Sequence, residues 1–241
     1  MSGVWVRAEL HFPALFSYRV PNTSPSFALA SPVPGPLTLK LALVDAAIRY
    51  SGSVAVGERL FLSLRGAAVE VEPPERLAVL RFFIRRLKPG KGKAAMQRSV
   101  GGREYCHLGG PVTAWVRAPD AAVAEAVALA FRRLGRLGTT DSLASCRGVS
   151  LGQAPPLNTV WRPLSAVDPT AWNLRARYVV RLTDLKPTAT FDQVNPYGGG
   201  RAGAALEERL YILPLVQEDR RENWALYRRV PFECQSGPDG G

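Results

Sequence analysis

Between Arg81 and Arg103 the sequence contains no acidic residue. Eight cations stand there instead: Arg81, Arg85, Arg86, Lys88, Lys91, Lys93, Arg98 and Arg103. An ordinary solvated face mixes both signs, so the missing acids point to a polyanionic partner, with a merely solvated charged hairpin as the competing reading. Cysteine is scarce as well. Cys106, Cys146 and Cys234 are odd in number and far apart, which excludes a disulfide framework and a zinc knuckle and fits a reducing cytoplasm. Only two histidines, His11 and His107, are present. No paired carboxylates, no His/Cys ligand set and no nucleophile motif stand out, so neither a metal nor another cofactor is expected. No apolar run reaches membrane-spanning length. The start of the chain lacks the basic leader and apolar core of a signal peptide. The expectation is a cytoplasmic protein with no membrane partner.

What is abundant is arginine. Of the 31 basic residues 26 are Arg and 5 are Lys, against 20 acids, for a formal net charge of +11 over 241 residues. The planar arginine fork suits phosphates and base stacking. A GC-rich genome would also raise Arg, Ala, Gly and Pro together, so the net excess of charge is the firmer observation. With 46% hydrophobic residues the chain can bury a core. The length fits one large domain or one domain with an insertion. We place that domain at residues 1–234, with a disordered tail at 235–241.

Val4 to Phe12 alternates apolar and polar residues, the period of a half-buried strand. Residues 13–36 form a Pro- and Ser-rich excursion. Pro36 suits the first turn of a helix, and Leu37, Leu41, Val44 and Ile48 then share one helical face. Gly57 to Val71 and Ala78 to Leu87 read as strands. The Lys88-Pro89-Gly90-Lys91-Gly92-Lys93 segment reads as a loop between apolar arms, with Pro111 to Arg117 as the next strand. A second helix starts at Pro119-Asp120 with Val123, Val127, Ala130, Phe131 and Leu134 as its stripe. Arg132, Arg133 and Arg136 lie at its C-terminal end, where the helix dipole favours cations. Leu143 to Val149, Arg177 to Leu182 and Leu210 to Val216 read as further strands. Asp45 shows no evident partner.

Three segments read together: Ser24-Pro25-Ser26-Phe27 through Pro36, the turn Gly102-Arg103-Glu104-Tyr105 before a strand, and Leu137-Gly138-Thr139-Thr140-Asp141-Ser142-Leu143 after the second helix. In order and spacing they resemble the CRISPR-associated RAMP proteins, and most of all the fifth-numbered subunit of type I surveillance complexes (Cascade). The resemblance covers roughly residues 4–150. It implies an α+β fold of ferredoxin-like or RNA-recognition-motif type, with an inserted basic β-hairpin thumb at about 81–110 and a smaller C-terminal β-rich part. It also implies a non-catalytic role in antiviral defence. The chain would hold the 5′ handle of the guide RNA beside a backbone RAMP subunit and the large subunit, and meet target DNA only indirectly.

The residues expected at RNA are Arg85, Arg86, Lys88, Lys91, Lys93, Arg98, Arg103, Tyr105 and Arg147. Tyr105 reads equally as a core anchor of its turn. Phe27, Leu29 and Val33 are expected to meet protein neighbours. Some relatives cleave the precursor RNA, which needs a base near the 2′-hydroxyl and a cation on the developing charge. His107 and Tyr105 are the residues here that would serve such a metal-independent endoribonuclease. A generic RNA-binding domain with no CRISPR role is the other alternative. Gly198 to Gly203 reads as a phosphate cradle or as a flexible loop.

Overall fold

The computed structural model describes residues 3–24, 26–88, 96–167, 176–195 and 202–233. In chain order the elements are β1 (Val4–His11), β2 (Phe27–Ala28), α1 (Pro36–Ser51), α2 (Val54–Leu64), β3 (Val69–Glu72), β4 (Arg76–Lys88), β5 (Gln97–Leu108), β6 (Val112–Ala118), α3 (Ala121–Arg132) and β7 (Ser145–Leu151). There follow β8 (Arg162–Pro163), β9 (Arg177–Leu185), α4 (Phe191–Val194), α5 (Ala202–Ala205), β10 (Leu206–Arg220) and β11 (Trp224–Arg229). The content is α+β. No helix among the described residues is long and apolar enough to cross a membrane.

The first sheet has the order β3-β6-β1-β7, every neighbour antiparallel. The alternation read in β1 is real: Val6, Ala8 and Leu10 are wholly buried. Helix α3 packs on β1, β6 and β7, while α1 packs against α2 and α3. Pro36 opens α1 behind an extended Gly35, and α1 stops at Gly52, whose left-handed backbone (φ +66) returns its N–H to the Ile48 carbonyl. That is the conformation glycine adopts at no steric cost. Asp120 caps α3 by accepting the Val123 N–H at 2.9 Å. Asp45 does have a partner, the Arg49 guanidinium one turn on at 2.9 Å.

One expectation fails outright. Gly57 to Leu64 is helix, and only Val69 onward is strand. The β-branched and aromatic residues of the stretch suggested a strand. Gly57, Leu60, Phe61 and Leu64 instead recur at helical spacing and form the buried face of α2. Gly57 sets the helix contact, because a Cβ there would lie 2.2 Å from Ile48 Cγ1.

The second sheet runs β2-β5-β4-β11-β10-β8, with β9 also paired to β10. The C-terminal strands therefore continue the sheet of the basic hairpin. Two buried contacts join them to the first half. Trp161 donates its backbone N–H to Val71 O and its indole N–H to Val69 O, which closes the outer edge of β3. Lys40 of α1, 1% exposed, donates to Asp184 of β9 at 2.7 Å and to Arg65 O at 3.2 Å. Burial pushes the Lys40 pKa down and the Asp184 pKa up, and their mutual attraction opposes both shifts.

Candidate nucleic-acid interface

The acid-free run lies in a hairpin. Strands β4 and β5 pair without a break from Leu77↔Leu108 to Lys88↔Gln97. This corrects the sequence reading of the second arm, which placed it at residues 111–117. That stretch is β6, in the other sheet. It also moves Arg103-Glu104-Tyr105 from a turn to the middle of a strand. Gly102 suggested a turn, but it serves a close approach. Phe27 of β2 pairs alongside it, and a Cβ on Gly102 would lie 2.0 Å from the Phe27 ring.

At its base the hairpin is flanked by β11, through Trp224↔Leu80 to Arg228↔Arg76, and by β2. Beyond Phe83↔Gly102 no described strand flanks it. The last pairs, Ile84↔Gly101 to Lys88↔Gln97, form a two-stranded arm. At ~3.3 Å per residue the five pairs reach about 16 Å beyond the sheet. An isolated hairpin of this kind is marginally stable, so the buried base holds it.

The pleat sorts the side chains onto two faces. One carries Arg81, Phe83, Arg85 and Leu87 with Arg98 and Val100 opposite; the other carries Phe82 and Ile84 with Arg103, Tyr105 and His107. On the first face Phe83 is 80% exposed and Val100 65%, with Arg85 and Arg98 exposed among them. Cations alternating with a bare aromatic ring suit single-stranded nucleic acid, which offers phosphates and base faces together. Phe83 was not singled out in the sequence, because the Phe82-Phe83 pair looks like core. On the second face Arg103 stacks over Tyr105 at 6.0 Å and Phe82 meets the same ring edge-on at 5.7 Å. Tyr105 is half-buried and His107 exposed. The side chains of Arg86 and Lys88, and Lys91 and Lys93 altogether, lie outside the described residues. Arg147 is exposed on β7 in the other sheet, so it is not part of the hairpin group.

The three segments of the family resemblance do converge, on a buried polar hub. Glu104, 4% exposed, accepts Arg81 Nε at 2.9 Å and the Ala30 N–H at 3.2 Å. Its own carbonyl accepts the Ser17 hydroxyl at 3.1 Å. The Ser17 N–H donates to Ser142 Oγ at 2.9 Å, and Thr139 N–H donates to Ser17 O. The turn chemistry expected of Asp141-Ser142 is present: Ser142 N–H bonds Thr139 O and Leu143 N–H bonds Asp141 O. These polar groups hold the irregular loop to the hairpin base. Val33 is wholly buried in the core and faces no partner, whereas Leu29 is 38% exposed.

Cys106 is buried and its thiol is pushed well above the ordinary range by desolvation and by the nearby Glu104 charge, which makes it inert. Residues 198–201 of the glycine-rich stretch, and Cys234, lie outside the described residues. Among the described residues no three His, Cys, Asp or Glu side chains cluster as a metal site.

No family model matches the chain. The CRISPR-associated protein Cas5 of Archaeoglobus fulgidus is 33% identical over 225 residues, which cover 92% of this chain and 97% of that protein. A crystal structure of a CRISPR protein from Archaeoglobus fulgidus aligns with 97% of this chain and 96% of its own, at a TM-score of 0.47 and 13% identity.

Proposed function

The chain belongs to the CRISPR-associated Cas5 family, and from that premise we propose that it holds the 5′ handle of the guide RNA as a non-catalytic subunit of a type I surveillance complex. It works in the cytoplasm as a single RAMP-type domain over residues 1–234, beside a backbone RAMP subunit and the large subunit. The order β3-β6-β1-β7, with helices in both crossovers, supports the ferredoxin-like assignment. The observation that carries the functional reading is the projecting arm. Its charge is of one sign, its exposed Arg85 and Arg98 alternate with Phe83 and Val100, and its base is braced by the Glu104 hub. Phosphate contact supplies sequence-independent affinity, and stacking holds unpaired bases.

The test is combined charge reversal of Arg85, Arg86, Lys91 and Lys93, assayed for guide binding and for co-assembly with the backbone subunit. Loss of both is expected. Retention of both refutes the arm as the RNA-holding element. A second reading, metal-independent cleavage of the precursor, rests on Tyr105 and His107 sharing one face of β5. Arg103, which stacks over Tyr105 on that same face, is the cation that such a reading would use for the developing charge. That reading predicts that His107→Ala abolishes cleavage of a repeat RNA.

A further inference from the structure

At the root of the arm, on the Arg85 and Phe83 face, lies a cavity of about 230 Å³ between β4, β9 and β11. It exists because β10 pairs with β9 over residues 206–216 and with β11 over residues 215–220, with a register shift between Leu213 and Val216. Four arginines line it: Arg81, Arg181, Arg220 and Arg221, together with Tyr178 and Tyr227. The two tyrosine rings meet edge-on at 5.1 Å and form one wall. Among the described residues Arg181 makes only a long ion-pair contact, with Glu208 at 3.8 Å. Arg220 and Arg221, at the exposed β10–β11 turn, make no ion pair among the described residues. One water needs only ~10–15 Å³ of such space, so the cavity has room for a flat ring.

Arg81 is held differently from the other three. Its Nε is committed to buried Glu104 at 2.9 Å, which leaves the two terminal amino groups of the fork for a ligand. A fork anchored in this way donates in parallel and cannot accept, the geometry that favours the O6/N7 acceptor pair of guanine over adenine. We propose that this cavity seats one unpaired guanine of a single-stranded RNA, with Arg81 on its acceptor edge and Arg220 and Arg221 on the flanking phosphates. The inference rests on the reading of the arm as an RNA holder and adds to it a base-reading site.

The experiment is fluorescence anisotropy of the full chain with labelled octaribonucleotides. One is all adenine, the other carries a single central guanine, and both are measured at two salt concentrations. The expected parent behaviour is a preference of about tenfold for the guanine oligonucleotide. Arg81→Lys retains a cation for Glu104 but lacks the fork, so the ratio of guanine-strand to all-adenine-strand affinity falls to about twofold or less. Arg220→Ala with Arg221→Ala, at exposed positions, weakens both oligonucleotides alike and lowers the salt slope by about 1.4. A parent without base preference, a preference that survives Arg81→Lys, or RNA displaced equally well by octaglutamate each overturns the proposal. If these variants bind like the parent while the hairpin charge reversal abolishes binding, the arm reading stands and the guanine site falls. If the parent binds no RNA, both fall.

Discussion

Replacing Glu70 by Gln changes the pH dependence of stability, and the size of the change follows from its surroundings. Glu70 sits on β3 opposite Trp115 of β6. Burial raises its pKa from 4.5 to about 7; the Arg162 guanidinium and the neighbouring Trp161 indole oppose that rise without cancelling it. Its Oε2 and the Trp115 Nε1 are both buried without hydrogen-bond partners among the described residues. Arg65, Asp184, Glu207, Arg209 and Tyr211 line the same cavity from the elements around it. Because the folded pKa lies above the unfolded one, the carboxyl is protonated in both states below pH ~4 and costs nothing there. As pH rises from ~4.5 to ~7 the unfolded chain releases its proton first, and stability is lost at up to about 1.4 kcal/mol per pH unit. Above pH 7 the loss is complete, on the order of 3 kcal/mol. Glutamine keeps the shape and removes the titration, although an unpaired amide carries its own penalty of ~1–3 kcal/mol. The diagnostic is therefore the pH dependence. Between pH 4 and pH 8 the stability of Glu70→Gln relative to the parent rises by about 3 kcal/mol. Thermal melts at both pH values read this as a relative gain of roughly 6–12 °C for a chain of this size. A difference that stays constant from pH 4 to pH 8 refutes a buried, raised carboxyl at this position.

Three further outcomes follow from particular contacts. Asp184→Ala leaves the Lys40 ammonium buried and unpaired and costs about 3–5 kcal/mol, whereas Lys40→Met with Asp184→Leu recovers most of it; urea titrations of the parent and the two variants decide. Gly102→Ala drives a methyl into the Phe27 ring, so β2 leaves the hairpin, seen as faster exchange of the backbone amide at position 102, which in the parent donates to Ser26 O at 2.9 Å. Phe83→Ser, at a site 80% exposed, changes the melting temperature little but weakens single-stranded RNA binding by about 1–3 kcal/mol; unchanged RNA affinity would remove Phe83 from the interface.

Periodicity and capping made β1, α1 and α3 legible, because each is a local pattern read within about a dozen residues. The same approach failed at α2. There Phe61, Val69 and Val71 suggested a strand from Gly57 onward, and burial of the helical stripe against α1 outweighs β preference. The hairpin was legible as a charged excursion but not in its pairing. Charge identified residues 81–103 as exceptional, but Gly102 read as the start of a turn, whereas it makes room for the Phe27 ring. Arg220 and Arg221 escaped notice because Asp219 and Glu222 flank them and make the stretch look like a mixed surface.

Composition, sign of charge and local period are properties of neighbouring residues, and they carry the expectation of a polyanionic partner, the types of β1, α1 and α3, and the family resemblance. Which residues meet across the chain was decided by tertiary structure alone. Ser17 reaches Ser142, Lys40 reaches Asp184, and Arg81 comes to share a cavity with Arg220 and Arg221. Each of these contacts depends on strand order, register and the shift within β10. A one-residue slip there would turn every side chain to the opposite face.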